Sequence, residues 1–119
     1  MSARAPRVVA TQIPSKKDPV TGLWQPTVNV TPATKFGELE VLLPAGMQFY
    51  AANEMMRIIK HRLNEIDFQP EDFFLPMGSP AVMAVAAAIA ARRSNGVLNV
   101  LQWDNLMGDY TLYRLDNLV

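Results

Sequence analysis

His61 is the single histidine of a 119-residue chain that has no cysteine. Without cysteine there are no disulfides, thiol nucleophiles or thiolate metal sites, and one histidine excludes a multi-histidine metal centre. As a lone general base, His61 has no orienting partner visible in the sequence. Glu38 and Glu40, two residues apart, would share one side of a strand and could be imagined as paired carboxylates. A metal or an acid–base pair needs a third group near them, and none is in sight, so solvated exposure is the expectation. Asp104 and Asp109 add only scattered carboxylates. No catalytic residue, metal site or cofactor is expected.

Two other groups of residues invite a ligand. Gly78-Ser79-Pro80 follows the apolar run FFLPM and precedes AVMAVAAAIAA, so Ser79 reads as a helix N-cap and Pro80 as the first helical position. A glycine at a strand's carboxyl end, followed by a helix N-terminus, is where open α/β sheets hold anions, and Arg57 or Lys60 could lend charge to Gly78 and Ser79. The motif lacks the several glycines and the lysine of a phosphate loop, so the simpler reading is a strand-to-helix cap. Arg57, Lys60 and His61 also form a cationic cluster. Interleaved with acids on a neutral chain, three such groups read as a solvated face and not as a nucleic-acid surface.

The elements that would position these residues are clearer than the chemistry. FFLPM (73–77) and VLNVLQW (97–103) read as strands flanking an Ala-rich helix over Ala81–Arg93, which ends at Gly96. FGELEVLL (36–43) reads as a strand closed by Pro44. Gly46–Ile66 reads as an amphipathic helix with a stripe of Phe49, Ala52, Met56, Ile59, Leu63 and Ile66. Asp109–Leu115 forms a hairpin with the preceding strand through the turn 104–108. Residues 1–35 carry prolines at 6, 14, 19, 26 and 32 and read as an extended arm with one strand near Arg7–Ile13 and a turn at Asp18-Pro19 to Gly22. Residues 36–119 form a single domain.

The fold class expected is α/β, a small and largely parallel sheet with two helices and a C-terminal antiparallel hairpin, preceded by the Pro-rich arm. A ferredoxin-like arrangement is the rival. Half the residues are hydrophobic and 18% are charged, which suits one packed domain. Eleven basic and eleven acidic residues cancel, so no global field draws the chain to nucleic acid or anionic lipid, and none keeps copies apart. Phe73–Ala91 lacks charge over nearly a membrane's thickness, but Pro76, Gly78, Ser79 and Pro80 interrupt it, and no span is expected. The N-terminus lacks the apolar core of a signal peptide, so a cytoplasmic or virion location is expected.

The segments KFGELEVLLP, FFLPMGSPAVMAVAAAIAARRSNGVLNVLQWD and DYTLYRL together resemble short uncharacterised proteins of phages and other mobile elements over residues 36–115. That resemblance implies the strand and helix order above and carries no active site. The stretch 14–34 looks like an addition to that pattern.

The residues therefore point to a non-enzymatic assembly or interaction protein, plausible for a phage structural or accessory role. It would associate with other protein subunits, as a homo-oligomer or larger assembly, through the arm and the apolar helix. Eleven apolar residues in a row need cover on every side, from the arm or from a neighbour. Val8, Val9, Ile13, Trp24 and Val28 are the interface candidates. A lone Trp in an extended segment acts as an anchor, either on its own core or in a neighbouring chain. The alternative function is nucleotide or anion binding at Gly78-Ser79-Pro80.

Overall fold

The structure, a computed structural model, describes residues 4–119. Of the expected arm, residues 1–3 lie outside the described residues. The strands are β1 (Arg7–Ala10), β2 (Ser15–Lys17), β3 (Trp24–Pro26), β4 (Glu38–Val41), β5 (Phe73–Leu75), β6 (Leu98–Asp104) and β7 (Asp109–Leu115). The helices are α1 (Ala52–Ile66) and α2 (Pro80–Arg93), and Thr31–Lys35 forms a 3-10 turn. Five strands make one sheet in the order β4-β1-β5-β6-β7, while β2 and β3 pair only with each other. Pairing is parallel from β4 to β6 and antiparallel between β6 and β7. The expected α/β fold is the one observed, with the parallel order that excludes a ferredoxin-like sheet.

The handedness of parallel crossovers explains the two layers. The steps β4 to β5 and β5 to β6 move the same way across the sheet, so right-handed connections put α1 and α2 on one face. The step β1 to β4 moves the other way and carries its connection to the opposite face. Val9, Leu42, Ile59, Leu63, Phe74 and Ala86 belong to the helix-side core. Val8, Ala10, Ala33, Leu75 and Leu101 form the second core, under the 3-10 turn.

Three features differ from the sequence expectations. The strand expected within an arm supplies β1, second from one edge and flanked by β4 and β5, so Arg7–Ala10 belong to the sheet. Its Val-Val-Ala run suits that site because it is buried on both faces. Helix α1 starts at Ala52 rather than near Gly46, and its buried stripe runs Ile59, Leu63 and Ile66, with Met55 half-buried and Met56 exposed. Helix α2 is not covered all round: Val82, Ala86, Ala90 and Ala91 are buried, and Ala81, Ala84 and Ala88 are open. Alanine exposes little apolar area, which is why an uninterrupted Ala-rich run tolerates a solvent-facing side. Among the described residues no helix is long and apolar enough to cross a membrane.

Candidate functional site

The carboxyl ends of the parallel strands, where α/β sheets usually hold ligands, are closed by the chain's own polar groups. Thr11 Oγ1, fully buried, accepts the Met77 N–H at 2.8 Å and donates to the Met77 carbonyl. Gln12 Nε2 donates to the carbonyls of Pro44 and Met47, both at 2.9 Å. Gly78 has φ +89° and lies against Gln12, whose carbonyl oxygen would stand 2.7 Å from any β-carbon placed there. The glycine is required by that close approach and by its left-handed backbone.

Ser79 does occupy the N-cap of α2, with Pro80 next, but its hydroxyl makes no cap hydrogen bond. It borders a cleft of about 460 Å³ with Tyr50, Ala52 and Met55, and neither Arg57 nor Lys60 lines that cleft. Lys60 lies instead beside Ile89, Arg92 and Arg93, toward the far end of α2. At 1.5 Å per residue, the ten residues from Ser79 to Ile89 place it roughly 15 Å along the helix axis. The sequence motif and its candidate cations are therefore not brought together. Arg93 is committed to structure, donating to Asn64 Oδ1 at 2.5 Å, Asp67 Oδ1 at 2.7 Å and the Phe68 carbonyl at 2.9 Å.

The strongest buried charge was not visible in the sequence. Asp72 is fully buried and accepts from Arg4 Nη1 at 2.8 Å and Nη2 at 2.6 Å, and from the N–H groups of Arg7 (2.9 Å) and Gln69 (2.8 Å). Burial pushes its carboxyl up, and the Arg4 guanidinium with those two amides more than reverses the effect, holding it below the usual range. Its oxygens are spent on tying the N-terminus and the start of β5 together, which leaves them no role as a free acid or base. Glu38 and Glu40 sit on edge strand β4; Glu38 is exposed, and Glu40 lies 3.7 Å from Arg7 Nη1. Among the described residues no group of three or more metal-ligating side chains comes together.

The interface candidates divide into two sets. Val8 and Val9 are fully buried in β1, on opposite faces of the sheet, and pack within this chain. Ile13 is half-buried against the second core. Trp24 and Val28 are 45% and 41% exposed. The indole of Trp24 lies over Gly46, so its anchor is on its own chain while its other side stays open.

Between Ser15 and Pro26 the chain forms a small hairpin beyond the sheet, with Lys16 opposite Gln25 and Lys17 opposite Trp24. Its turn is closed by Asp18, whose carbonyl accepts the Gly22 N–H and whose N–H donates to Leu23, both at 2.8 Å. Asp18 Oδ1 accepts the Val20 N–H at 2.8 Å, and this amide, with that of Thr21, holds the exposed carboxyl below its ordinary value. The turn presents Val20 and Leu23, 91% and 61% exposed. An isolated two-stranded ribbon of this length is marginal in water, and here it displays apolar side chains at its end.

On the sheet face away from the helices, a groove of about 640 Å³ opens between the segment Val28–Pro32 and β6, bordered by Met77, Trp103 and Tyr110. Trp103 and Tyr110 meet edge to face at 5.1 Å between ring centroids. Burial raises the Tyr110 hydroxyl. The hairpin register that pairs these two residues is the signal by which the sequence could have revealed them. The tip of the hairpin and this groove are thus apolar and aromatic, while the buried polar groups named above are spent inside the fold.

A family model, described as Phage Pam3 gp32-like protein, matches residues 6–117. The chain belongs to this family. The match spans β1 and the β2–β3 hairpin as well as the segment 36–115. No curated protein and no solved structure matches the chain.

Proposed function

We propose that this phage-family protein is a non-enzymatic assembly subunit, which associates with other copies or other protein subunits through the β2–β3 hairpin. The observation that carries the reading is the hairpin itself. It pairs with no strand of the main sheet, is anchored by Trp24 on Gly46, and holds Val20 and Leu23 away from any cover. Burying two such side chains in a partner would contribute about 1.5–3 kcal/mol each, ample to order a ribbon that is marginal alone.

Two further observations support it. The net charge is zero, so no repulsion opposes association. The open Ala81, Ala84 and Ala88 side of α2 allows close approach of another backbone, and so offers a second surface for the same purpose. Against an enzymatic reading stands the use of Thr11, Gln12, Asp72 and Asn99 in internal hydrogen bonds. The test replaces residues 15–26 by Gly-Ser-Gly and compares mass in solution with that of the full chain. The full chain is expected to form species larger than those of the replaced chain; equal masses count against the proposal.

A further inference from the structure

The two edges of the main sheet differ in how they are protected. At β4 the strand is four residues long, and the carbonyls of Val41, its last residue, and of Leu42, the next, accept from Arg62 Nη2 at 3.0 Å and Nε at 2.9 Å. At β7 the strand is seven residues long, pairs with β6 in an unbroken register from Asp109 to Leu115, and contains no proline, lysine or bulge. Those are the devices that normally keep an edge from pairing with another chain. Leu112, Tyr113 and Leu115 are each about half exposed, and neither Tyr113 nor Leu115 takes part in the helix-side core.

We propose that the outer edge of β7 pairs antiparallel with the same edge of a second copy, joining two five-stranded sheets into one. The phase of the ladder supports a symmetric pairing. The Tyr110 N–H donates to Asp109 Oδ1 at 2.7 Å, which assigns residues 110, 112 and 114 to the phase whose amides face the outer edge. A twofold axis at Leu112, perpendicular to the sheet, is the one symmetric register that overlaps all seven residues from Asp109 to Leu115. It sets Leu112 opposite Leu112, Tyr110 opposite Arg114 and Thr111 opposite Tyr113. Opposed residues then share a face, as antiparallel neighbours must, and the outward N–H groups of Leu112 and Arg114 from each copy meet carbonyls, while that of Tyr110 stays on Asp109.

The charges fit the same axis. Arg114 faces Tyr110, Asp109 faces Leu115 and Asp116 faces Gly108, so no like charges are opposed, and the chain as a whole is neutral. The occupant is therefore a second copy, because the strand is its own complement. This contact goes beyond the hairpin reading and uses none of the residues 15–26.

The absence of cysteine gives a direct test. In a full chain carrying Leu112→Cys, the axis brings the two sulfurs together, since opposed residues in a hydrogen-bonded pair stand about 5.5 Å apart at Cα, within disulfide range. Under mild oxidation at micromolar protein, the L112C chain is expected to form a disulfide-linked dimer about tenfold faster, or more, than chains carrying Tyr113→Cys or Glu54→Cys, the latter at an exposed position of α1 outside either proposed surface. Mixing Thr111→Cys with Tyr113→Cys chains is expected to cross-link faster than either alone. Equal rates for L112C and E54C overturn the pairing, and faster Y113C than L112C cross-linking overturns the register. Replacing residues 15–26 in the L112C chain leaves the rate unchanged if the edge acts on its own, whatever becomes of hairpin assembly; a rate reduced to that of E54C overturns the proposal.

Discussion

Gly46 lies beneath the indole of Trp24 so closely that a β-carbon at position 46 would run into the six-membered ring. With φ +78°, Gly46 also holds a backbone conformation that other residues adopt at a cost. Gly46→Ala is therefore expected to lift Trp24 from its seat and cost about 1 kcal/mol. In a Trp103→Phe background, acrylamide quenching of Trp24 fluorescence should rise on the substitution. Unchanged quenching would mean that the ring is not held there.

Asp72 should govern the acid limb of stability. Its folded carboxyl is held below the ordinary aspartate value of 3.8 by Arg4 and two amides that together outweigh burial. The unfolded state therefore binds more protons between the two values, so stability is full above the unfolded value and is lost as pH falls through the folded one. Asp72→Asn should cost about 3 kcal/mol at neutral pH, because the Arg4 guanidinium loses its buried partner. Urea unfolding between pH 2 and 6 checks both, with a flatter pH dependence in the variant. Asp18 and Asp109, lowered by the Val20 amide and by Lys35 respectively, act in the same direction in both proteins.

Gly78 and Ser79 should respond in opposite ways. Gly78→Ala meets the Gln12 carbonyl and a left-handed backbone, and should cost roughly 2 kcal/mol or more. Ser79→Ala should fall within about 0.5 kcal/mol of the parent, since the hydroxyl makes no cap bond to lose. A loss near the ~1 kcal/mol typical of N-caps would show that the hydroxyl caps the helix after all. Denaturant midpoints of the two variants decide.

Helix α2 offers a one-sided test. Ala86 is fully buried beneath it, and Ala84 is exposed. Ala86→Leu should overpack the core by about 1–3 kcal/mol, whereas Ala84→Gln should be close to neutral in thermal unfolding. Equal losses would mean that the helix is covered on both sides.

The period and punctuation of the sequence carried most of the fold. Val97–Trp103, Asp109–Leu115 and Phe73–Met77 declared themselves by apolar runs bounded by Gly, Pro and Asp, and Ser79-Pro80 opened α2 where the chemistry of helix starts requires. What local pattern could not convey was tertiary neighbourhood. The Arg7–Ile13 strand has no local mark that assigns it a place between β4 and β5 rather than an arm. Met55 and Met56 stand four and three residues before the buried Ile59, so helical spacing alone does not decide which one turns inward. The partnership of Arg4 with Asp72 joins residues 68 apart in the sequence, and the grip of Gln12 on Pro44 and Met47 depends on a loop whose path no periodicity dictates. The seat of Trp24 on Gly46 was likewise hidden, although a Trp isolated in a Pro-rich stretch did signal an anchor.

Assembly through the hairpin is best tested by sedimentation equilibrium of the 13.2 kDa chain beside a chain in which residues 15–26 are replaced by Gly-Ser-Gly. The account predicts species of more than two chains for the parent, and none larger than a dimer for the replaced chain with its sheet intact by circular dichroism. Identical mass distributions for the two would contradict it.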